Sequence, residues 1–297
     1  MALASMSEIF ERMARNGQEF WEVVLADDMD ERQVSREASM AKMLTTWQAM
    51  QDAADSYTGR KRSVSGLVGG DGMKMRQYTF RGCAMTGGYV SEVIAEALSM
   101  AESNACMRRI VAAPTAGACG VLPAVLLPLC KYEELTQHQL LEALYVAAGI
   151  GSVIAYKASI AGASGGCQAE IGTASAMAAG ALVALRGGEG EQIGHAVAMA
   201  LKNLMGLVCD PVAGLVEVPC VKRNVIGAMN AVSAADMALA GVVGHIPADE
   251  VIDAMAEVGN AMSKDLRETG IGGLAGTPTG CKIAEIVTMS ADTEEED

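Results

Sequence analysis

Residues 165–224 read GGCQAEIGTASAMAAGALVALRGGEGEQIGHAVAMALKNLMGLVCDPVAGLVEVPCVKRN. Two alanine-rich helical patterns run through this stretch, and a Gly-Gly pair separates them. Its cysteines, Cys167, Cys209 and Cys220, each stand at a break between elements rather than inside one. The stretch therefore predicts packed helices with three thiols placed at their ends.

The composition favours helices over sheets. Of the 297 residues, 51% are hydrophobic, which supports a sizeable core. Aromatic residues make up only 4% of the chain, whereas glycine (33) and methionine (20) are abundant. Strands prefer aromatic and β-branched side chains. We predict a mostly α-helical protein, a single compact multi-helix domain with long Gly-rich active-site loops.

Helical periodicity predicts where the helices lie. A capping box at Ser5 begins a first helix, which is expected to end at the acidic run 27–31. A second helix is expected over residues 33–57, before Gly59. The other helical patterns cover residues 89–104, 121–129, 136–156, 167–185, 189–204, 222–243 and 248–263.

The charge of the chain and its apolar runs exclude some partners. The formal net charge is −14, whereas nucleic-acid binding needs lysine and arginine to neutralise phosphates. The opening residues carry acids early and lack the apolar core of a secretory signal. Prolines and glycines interrupt the uncharged run 110–130. We predict a cytoplasmic protein that binds neither nucleic acid nor membranes.

Two further segments suggest contact with a ligand. Residues 58–88 are rich in glycine and are predicted to form one long loop, either a ligand-binding loop or a plain connector. Residues 115–117 stand in a Pro/Gly turn that opens into a helix, where unpaired N–H groups can hold a carboxylate. A simple turn between packed helices is the alternative for this second segment.

The three cysteines suit a metal site that the fold assembles. Cys167 follows two glycines and Cys220 follows a proline, so each is expected to open a helix, whose dipole favours a thiolate. Cys209 precedes an Asp-Pro pair that fixes a turn. Without a histidine nearby, three thiolates fit an iron–sulfur cluster with one open iron better than catalytic zinc. Three ordinary buried cysteines are the alternative.

Lys157 is a candidate base. It interrupts an apolar helix end in AYKASIAGASGG (155–166). A buried amine there would have a lowered pKa and could accept a proton. A lysine with a buried stem and a solvated amine is the alternative.

Five segments together carry a family resemblance. They are SGLVGGDGMK (65–74), APTAGACGVLPAVL (113–126), ASIAGASGGCQAEIGTASAMAAG (158–180), CDPVAGLVEVPCVKRN (209–224) and ETGIGGLAGTPTG (268–280). In combination they resemble the iron–sulfur-dependent L-serine dehydratases, and more specifically the α chain of the two-subunit form. The resemblance implies a lyase that deaminates L-serine to pyruvate and ammonia without pyridoxal phosphate.

The resemblance also implies a cofactor. Cys167, Cys209 and Cys220 are expected to bind a [4Fe-4S] cluster whose open iron binds the serine hydroxyl as a Lewis acid. Lys157 is the candidate for the base. Some relatives end in a cysteine that approaches the open iron, and the last cysteine of this chain, Cys281, is the candidate for such a resting-state ligand.

Within this picture, glycine and threonine residues beside a predicted helix start indicate the substrate contacts. We expect the backbone of Thr115, Ala116 and Gly117 to bind the substrate carboxylate. The loop from Ser65 to Lys74 is expected to close the site. Single-chain members carry a further N-terminal region with a Ser-Ser-His-Thr-like segment, which this sequence lacks. The resemblance therefore predicts a separate β chain as partner.

These expectations divide the chain into three parts. Residues 1–60 are predicted to be N-terminal helices packing on the core, residues 61–285 the catalytic iron–sulfur helical domain, and residues 286–297 an acidic tail. Two other functions stay open. One is a related lyase acting on L-threonine or L-cysteine, and the other is a non-catalytic iron–sulfur or thiol sensor.

Overall fold

The computed structural model describes residues 3–294, with side chains up to Met289, and within that range it contains helices and no strand. The helices are α1 (Met6–Asn16), α2 (Phe20–Arg32), α3 (Arg36–Asp55), α4 (Asp71–Phe80), α5 (Gly88–Ala105), α6 (Val121–Tyr132), α7 (Gln137–Lys157), α8 (Gly162–Gly165), α9 (Thr173–Leu185), α10 (Gly190–Leu204), α11 (Cys220–Leu239), α12 (Ala248–Ala261) and α13 (Pro278–Glu294). A π-helical turn, Gln168–Gly172, leads into α9. The predicted mostly α-helical, compact multi-helix domain is confirmed.

Helix α9 lies at the centre of the molecule and packs against α7, α10 and α11. Every residue from Thr173 to Val183 is buried, and most are alanine, serine or glycine. Small side chains let neighbouring helices approach closely, and a methyl group at Gly180 would collide with Cδ1 of Ile150 on α7. The alanine and glycine content of this stretch is therefore a packing requirement.

The predicted single N-terminal helix is wrong, because the chain forms two helices there, α1 and α2. Gly17 has a left-handed backbone conformation (φ 63°) and ends α1, with its N–H bonded to the carbonyl of Met13. The acidic run 27–31 lies inside α2, where Nη1 of Arg32 is 3.0 Å from Oδ2 of Asp28. Opposite charges four residues apart support a helix rather than end it.

Helix α2 packs on α7. Its side chains Phe20, Trp21 and Val24 are buried in the same hydrophobic core as α7 and α9. At Gly149 of α7, an added methyl group would overlap with Cγ2 of Val24 and lie 3.2 Å from Cε1 of Phe20. The missing side chain at Gly149 is what allows the two helices to meet.

Residues 58–88 do not form the single long loop that their glycines predict, because α4 lies within them. The first N–H groups of α4, those of Asp71 and Gly72, donate to the carboxylate of Glu102 on α5 at 2.8 Å and 3.3 Å. The hydroxyl of Tyr57 donates to the same buried carboxylate. Glu102 thus caps a helix whose own sequence offers no capping side chain.

The C-terminal segment is helical over part of the predicted acidic tail. Helix α13 begins at Pro278 and continues to Glu294, past the expected tail boundary at residue 286. Residues 295–297, the end of the predicted tail, lie outside the described residues.

One helix of the described range, α7, is long and apolar enough to cross a membrane. Of its most apolar 18-residue stretch, 67% is buried inside the protein. It contacts α2, α3 and α9. A helix packed by neighbours on several sides is apolar over most of its circumference, so these contacts account for its composition.

Replacing Gly149 by alanine is expected to lower the free energy of unfolding by about 1 kcal/mol. Overlap with Val24 costs about 1–3 kcal/mol in a packed core, and the higher helix propensity of alanine offsets about 1 kcal/mol of that cost. Urea unfolding followed by far-UV circular dichroism measures the difference.

Gly172→Ala is the matched control for this prediction, because the nearest atom to a methyl group there would be 3.8 Å away, on Leu201. This variant is expected to be as stable as the wild type or more so. Equal destabilisation of both variants would contradict the packing explanation.

Candidate functional site

Three buried cysteines come from three separate segments of the chain. Cys167 occupies the first turn of the helix that continues into α9, and Cys220 is the first residue of α11. Cys209 lies in the link between α10 and α11. The side chains of Cys167, Cys209 and Cys220 are 3%, 3% and 9% exposed. The expectation that Cys167 and Cys220 stand at helix starts is confirmed.

Cys209 is held in place by a segment far downstream. Its N–H donates to the carbonyl of Leu266 at 2.8 Å, and its own carbonyl accepts the N–H of Glu268 at 2.7 Å. The next side chain, Asp210, accepts the N–H of Leu274 at 2.8 Å. The Gly-rich segment after α12 therefore orders this cysteine, which no local sequence pattern predicts.

The sulfur atoms interact with one another and with one cation. The side chains of Cys167 and Cys209 interact, which lowers the pKa of Cys167 and raises that of Cys209. The positive charge of Arg223 lowers the pKa of Cys167 further. Burial raises the pKa of Cys220 to about 12. Cys167 is therefore the sulfur of the three that ionises most readily.

Arg223 on α11 is the cation of the site. Its Nη1 donates to the carbonyl of Val208 at 2.7 Å, and its Nη2 lies 2.8 Å from Oδ1 of Asp210. The contact with Asp210 is ionic, because Oδ1 accepts no well-directed hydrogen bond. The Arg223 and Asp210 side chains are 14% and 4% exposed, so this charge pair is largely shielded from water.

Within residues 3–294, no three histidine, cysteine, aspartate or glutamate side chains converge as ligands of a single metal ion. In a cubane iron–sulfur cluster each cysteine binds a different iron atom, so convergence on one point is not required. Three buried thiols, one of them with a lowered pKa, are the donor set of such a group. The residues present fit an iron–sulfur cluster by their chemistry.

Glu170 is a site residue that the sequence analysis missed. It lies in the π-helical turn, one turn after Cys167. A methyl group at Gly162 would lie 3.1 Å from Oε2 of Glu170 and 2.9 Å from Sγ of Cys209, so the carboxylate and this thiol border the same glycine. The sequence pattern that could have indicated this residue is an acidic side chain three positions after a cysteine, in GCQAEIG.

The surroundings of Glu170 favour its neutral form. Burial raises the pKa of this carboxyl group, and the negative charge of Glu268 acts in the same direction. The nearby Thr115 hydroxyl and the backbone of Gly162 oppose both effects and lower the pKa. The carboxyl group thus lies in an electronegative environment that has no cation of its own.

Residues 115–117 lie beside Glu170. A methyl group at Gly117 would be 3.3 Å from Oε2 of Glu170. Over the described part of the chain, the N–H groups of these three residues find no acceptor. Oγ1 of Thr115 is buried near the Glu170 carboxyl group but outside hydrogen-bonding geometry. Helix α6 begins only at Val121, so the free N–H groups belong to the preceding turn.

Asn224 fixes this turn to α11. Its Nδ2 donates to the carbonyl of Gly117 at 2.8 Å, and its Oδ1 accepts the N–H of Gly120 at 2.9 Å. Nδ2 also donates to the carbonyl of Cys220 at 3.0 Å. One buried amide therefore orders both the turn and a cysteine.

Ser65 and Lys74, both predicted to contact substrate, have different surroundings. The hydroxyls of Ser65 and Ser63 donate to the buried carboxylate of Glu217, at 2.6 Å for Ser63. Glu217 lies three residues before Cys220, the first residue of α11, so the loop around Ser65 is tied to the cysteine region. The Lys74 side chain is 70% exposed, and its amine is 2.8 Å from Oδ1 of Asp71.

Lys157 and Cys281 make their contacts elsewhere. Nζ of Lys157 lies 3.1 Å from Oδ2 of Asp253 and 3.9 Å from Oδ1 of Asp249, both on α12. The thiol of Cys281 on α13 is directed to the carbonyl of Ala275 at 3.7 Å. The structure records no contact between either residue and the three cysteines.

The family model for the serine dehydratase alpha chain matches residues 15–275. This chain belongs to the serine dehydratase alpha chain family. The part of the chain that matches includes the three cysteines, Glu170 and the turn at 115–117, whereas Cys281 lies beyond it.

Individual members of the serine dehydratase family are similar over most of the chain. The probable L-serine dehydratase alpha chain of Bacillus subtilis is 47% identical over 88% of this chain and 87% of its own length. The L-serine dehydratase alpha chain of Peptoniphilus asaccharolyticus is 41% identical over 95% of this chain and 97% of its own length. The L-serine dehydratase TdcG of Escherichia coli is 45% identical over 60% of this chain, which is 40% of that longer relative.

Replacing Asp210 by alanine is expected to lower the free energy of unfolding by about 3–5 kcal/mol, because Arg223 would stay buried without its charge partner. Urea unfolding measures the loss. The control is Lys131→Ala, which breaks an exposed pair with Glu92 (3.1 Å) and is expected to cost less than about 1 kcal/mol. Similar small losses in both variants would show that Asp210 does not neutralise Arg223.

Proposed function

We propose that this chain is the α subunit of an iron–sulfur-dependent L-serine dehydratase, which converts L-serine to pyruvate and ammonia. The observation that carries the proposal is the placement of three buried thiols beside a carboxylate and a turn with free N–H groups. The names of the relatives support the reaction, since they state L-serine dehydratase.

Cys167, Cys209 and Cys220 would hold a [4Fe-4S] cluster. When bound, the cluster supplies an iron without a protein ligand, which acts as a Lewis acid on the serine hydroxyl. Arg223 would offset part of the negative charge of the thiolates, because it lies against Cys167. Cys281 stays the candidate for a resting-state ligand. Pyridoxal phosphate has no role in this proposal.

Other residues of the site would bind and enclose the substrate. The free N–H groups of Thr115, Ala116 and Gly117 would donate to the substrate carboxylate. Ser65, which is bonded to Glu217, would keep its loop beside the site. Lys74 would add positive charge at the edge of the site. This arrangement binds an amino acid by its common head group rather than by its side chain.

The reaction removes the α-proton and the β-hydroxyl of L-serine. The aminoacrylate that forms tautomerises to an imine, and water hydrolyses the imine to pyruvate and ammonia. Lys157 is the candidate base of this chain. Its ion pairs with Asp253 and Asp249 would have to open, and its ammonium group would have to lose a proton, before the amine could accept the substrate proton. A residue of the partner chain is the other source of a base.

The proposed partner is a β chain. The relatives of matching length are named alpha chains, and the E. coli relative has a further region that this chain does not span. A cytoplasmic location is part of the proposal, because all eight cysteines are free and free thiols persist in a reducing compartment.

Anaerobic loading with iron and sulfide, with and without the β chain, tests the proposed function. The loaded wild type is expected to form pyruvate from L-serine. The variants Cys167→Ser, Cys209→Ser and Cys220→Ser should each lose the visible absorption of the cluster. Their turnover should fall at least about a hundredfold, since even the loss of residues around the metal ligands lowers metal affinity or activity about 10–100-fold. Cys130→Ser is the matched control, because that thiol bonds only to the carbonyl of Leu126 (3.1 Å).

Three outcomes would contradict the proposal. Full activity of a cluster-free Cys209→Ser protein would refute the cluster mechanism. Preference for L-threonine or L-cysteine would indicate the related lyase. A loaded complex that deaminates none of these amino acids would indicate an iron–sulfur sensor.

A further inference from the structure

The carboxylate of Glu170 lacks a cation. Its charged neighbours include Glu268 and the cysteines, and in the described part of the chain no lysine or arginine forms a salt bridge with it. Arg223, the cation of the site, is occupied by Asp210, the carbonyl of Val208 and Cys167. A partly buried carboxylate without a counter-charge is costly unless a ligand supplies one.

Two glycines border this carboxylate closely. Oε2 of Glu170 would be 3.3 Å from a methyl group at Gly117 and 3.1 Å from one at Gly162. Both distances are shorter than ordinary van der Waals contact. Any side chain at either position would press against the carboxylate, so both positions require glycine.

A primary ammonium group has the chemistry that this place lacks. It is positively charged, compact and able to donate three hydrogen bonds. Besides Glu170, the buried Oγ1 of Thr115 is an acceptor without a partner among the described residues. An ammonium group beside both would satisfy the carboxylate and this hydroxyl together.

We propose that Glu170 binds the α-ammonium group of the amino-acid substrate, an inference that rests on the proposed function. An amino acid carries its ammonium and carboxylate groups on one carbon, so their binding groups must be neighbours. Glu170 meets this condition, because Gly117 belongs to the turn proposed to bind the carboxylate and borders Glu170. Selectivity for amino acids over hydroxy acids then lies in this chain rather than in the β chain.

A comparison of two ligands tests the inference on the loaded α–β complex. L-Serine carries the ammonium group, and 3-hydroxypropanoate is the same molecule without it. In Glu170→Gln, the KM for L-serine is expected to rise about thirtyfold or more, the effect of removing one partner of a desolvated charge pair. The inhibition constant of 3-hydroxypropanoate should stay within about twofold of wild type, because that ligand has no group for Glu170 to bind.

Glu142→Gln is the matched control, since Glu142 is a partly buried glutamate on α7 paired with His138. It should change neither constant. Cluster content, measured by iron analysis and visible absorption, should equal that of wild type in both variants. A normal KM with a lowered kcat in Glu170→Gln would overturn the inference, because the residue would then act on a proton rather than on the ammonium group. Equal losses for both ligands would overturn it as well.

If Glu170→Gln fails to load the cluster, Glu170→Asp is the variant to compare with the wild type. It keeps the charge but withdraws it by one methylene, so the KM for L-serine should rise while the constant for 3-hydroxypropanoate stays the same. Equal changes in the two constants would again overturn the inference. A loaded wild type that forms no pyruvate from L-serine would instead refute the proposed function, which keeps the two failures distinct.

Discussion

The buried ion pair between Arg223 and Asp210 joins the separate parts of the site. Arg223 comes from α11 and lies against Cys167 of the helix that leads into α9. Asp210 comes from the link after α10 and also binds the N–H of Leu274 in the C-terminal segment. A buried charge that loses its partner is strongly destabilising. The ion pair therefore orders these segments together, in addition to the backbone hydrogen bonds that hold Cys209.

A π-helical turn places side chains of the candidate site at the start of the otherwise apolar central helix α9. Such turns are rare and often occur at functional sites. Here the turn carries Gln168, whose buried amide donates to the carbonyl of Met255 (3.0 Å) and accepts the N–H of Gly206 (2.8 Å). Gln168 thus anchors the turn on both sides. Cys167 and Glu170 can then face the site while the rest of the helix stays in the core.

Local sequence signals predicted the parts of the fold that local physics determines. The Gly-Gly-Cys and Pro-Cys patterns indicated the helix starts at Cys167 and Cys220, and both are present. Periodicity indicated most of the later helices. The break between α1 and α2 at Gly17 was not predicted, because apolar residues continue at nearly helical spacing across it. The predicted contacts of substrate and cluster with individual residues stay predictions.

Features that depend on distant contacts could not be predicted in this way. The cap of α4 is a carboxylate from Glu102 on another helix, so the local sequence suggested only a loop. Glu170 was missed because an acidic residue three positions after a cysteine is only a weak signal in an alanine-rich run. Its importance is visible only from its contacts with Gly117 and Gly162, which lie beside it only in the folded chain.

The pairing of Cys209 with Leu266 and Glu268 also affects the order of events during synthesis. The ribosome makes Cys167, Cys209 and Cys220 well before the segment that fixes the middle one. A nascent chain that ends before residue 266 can order the two cysteines at helix starts, but it leaves Cys209 without its backbone partners. The set of three thiols is therefore completed late in translation.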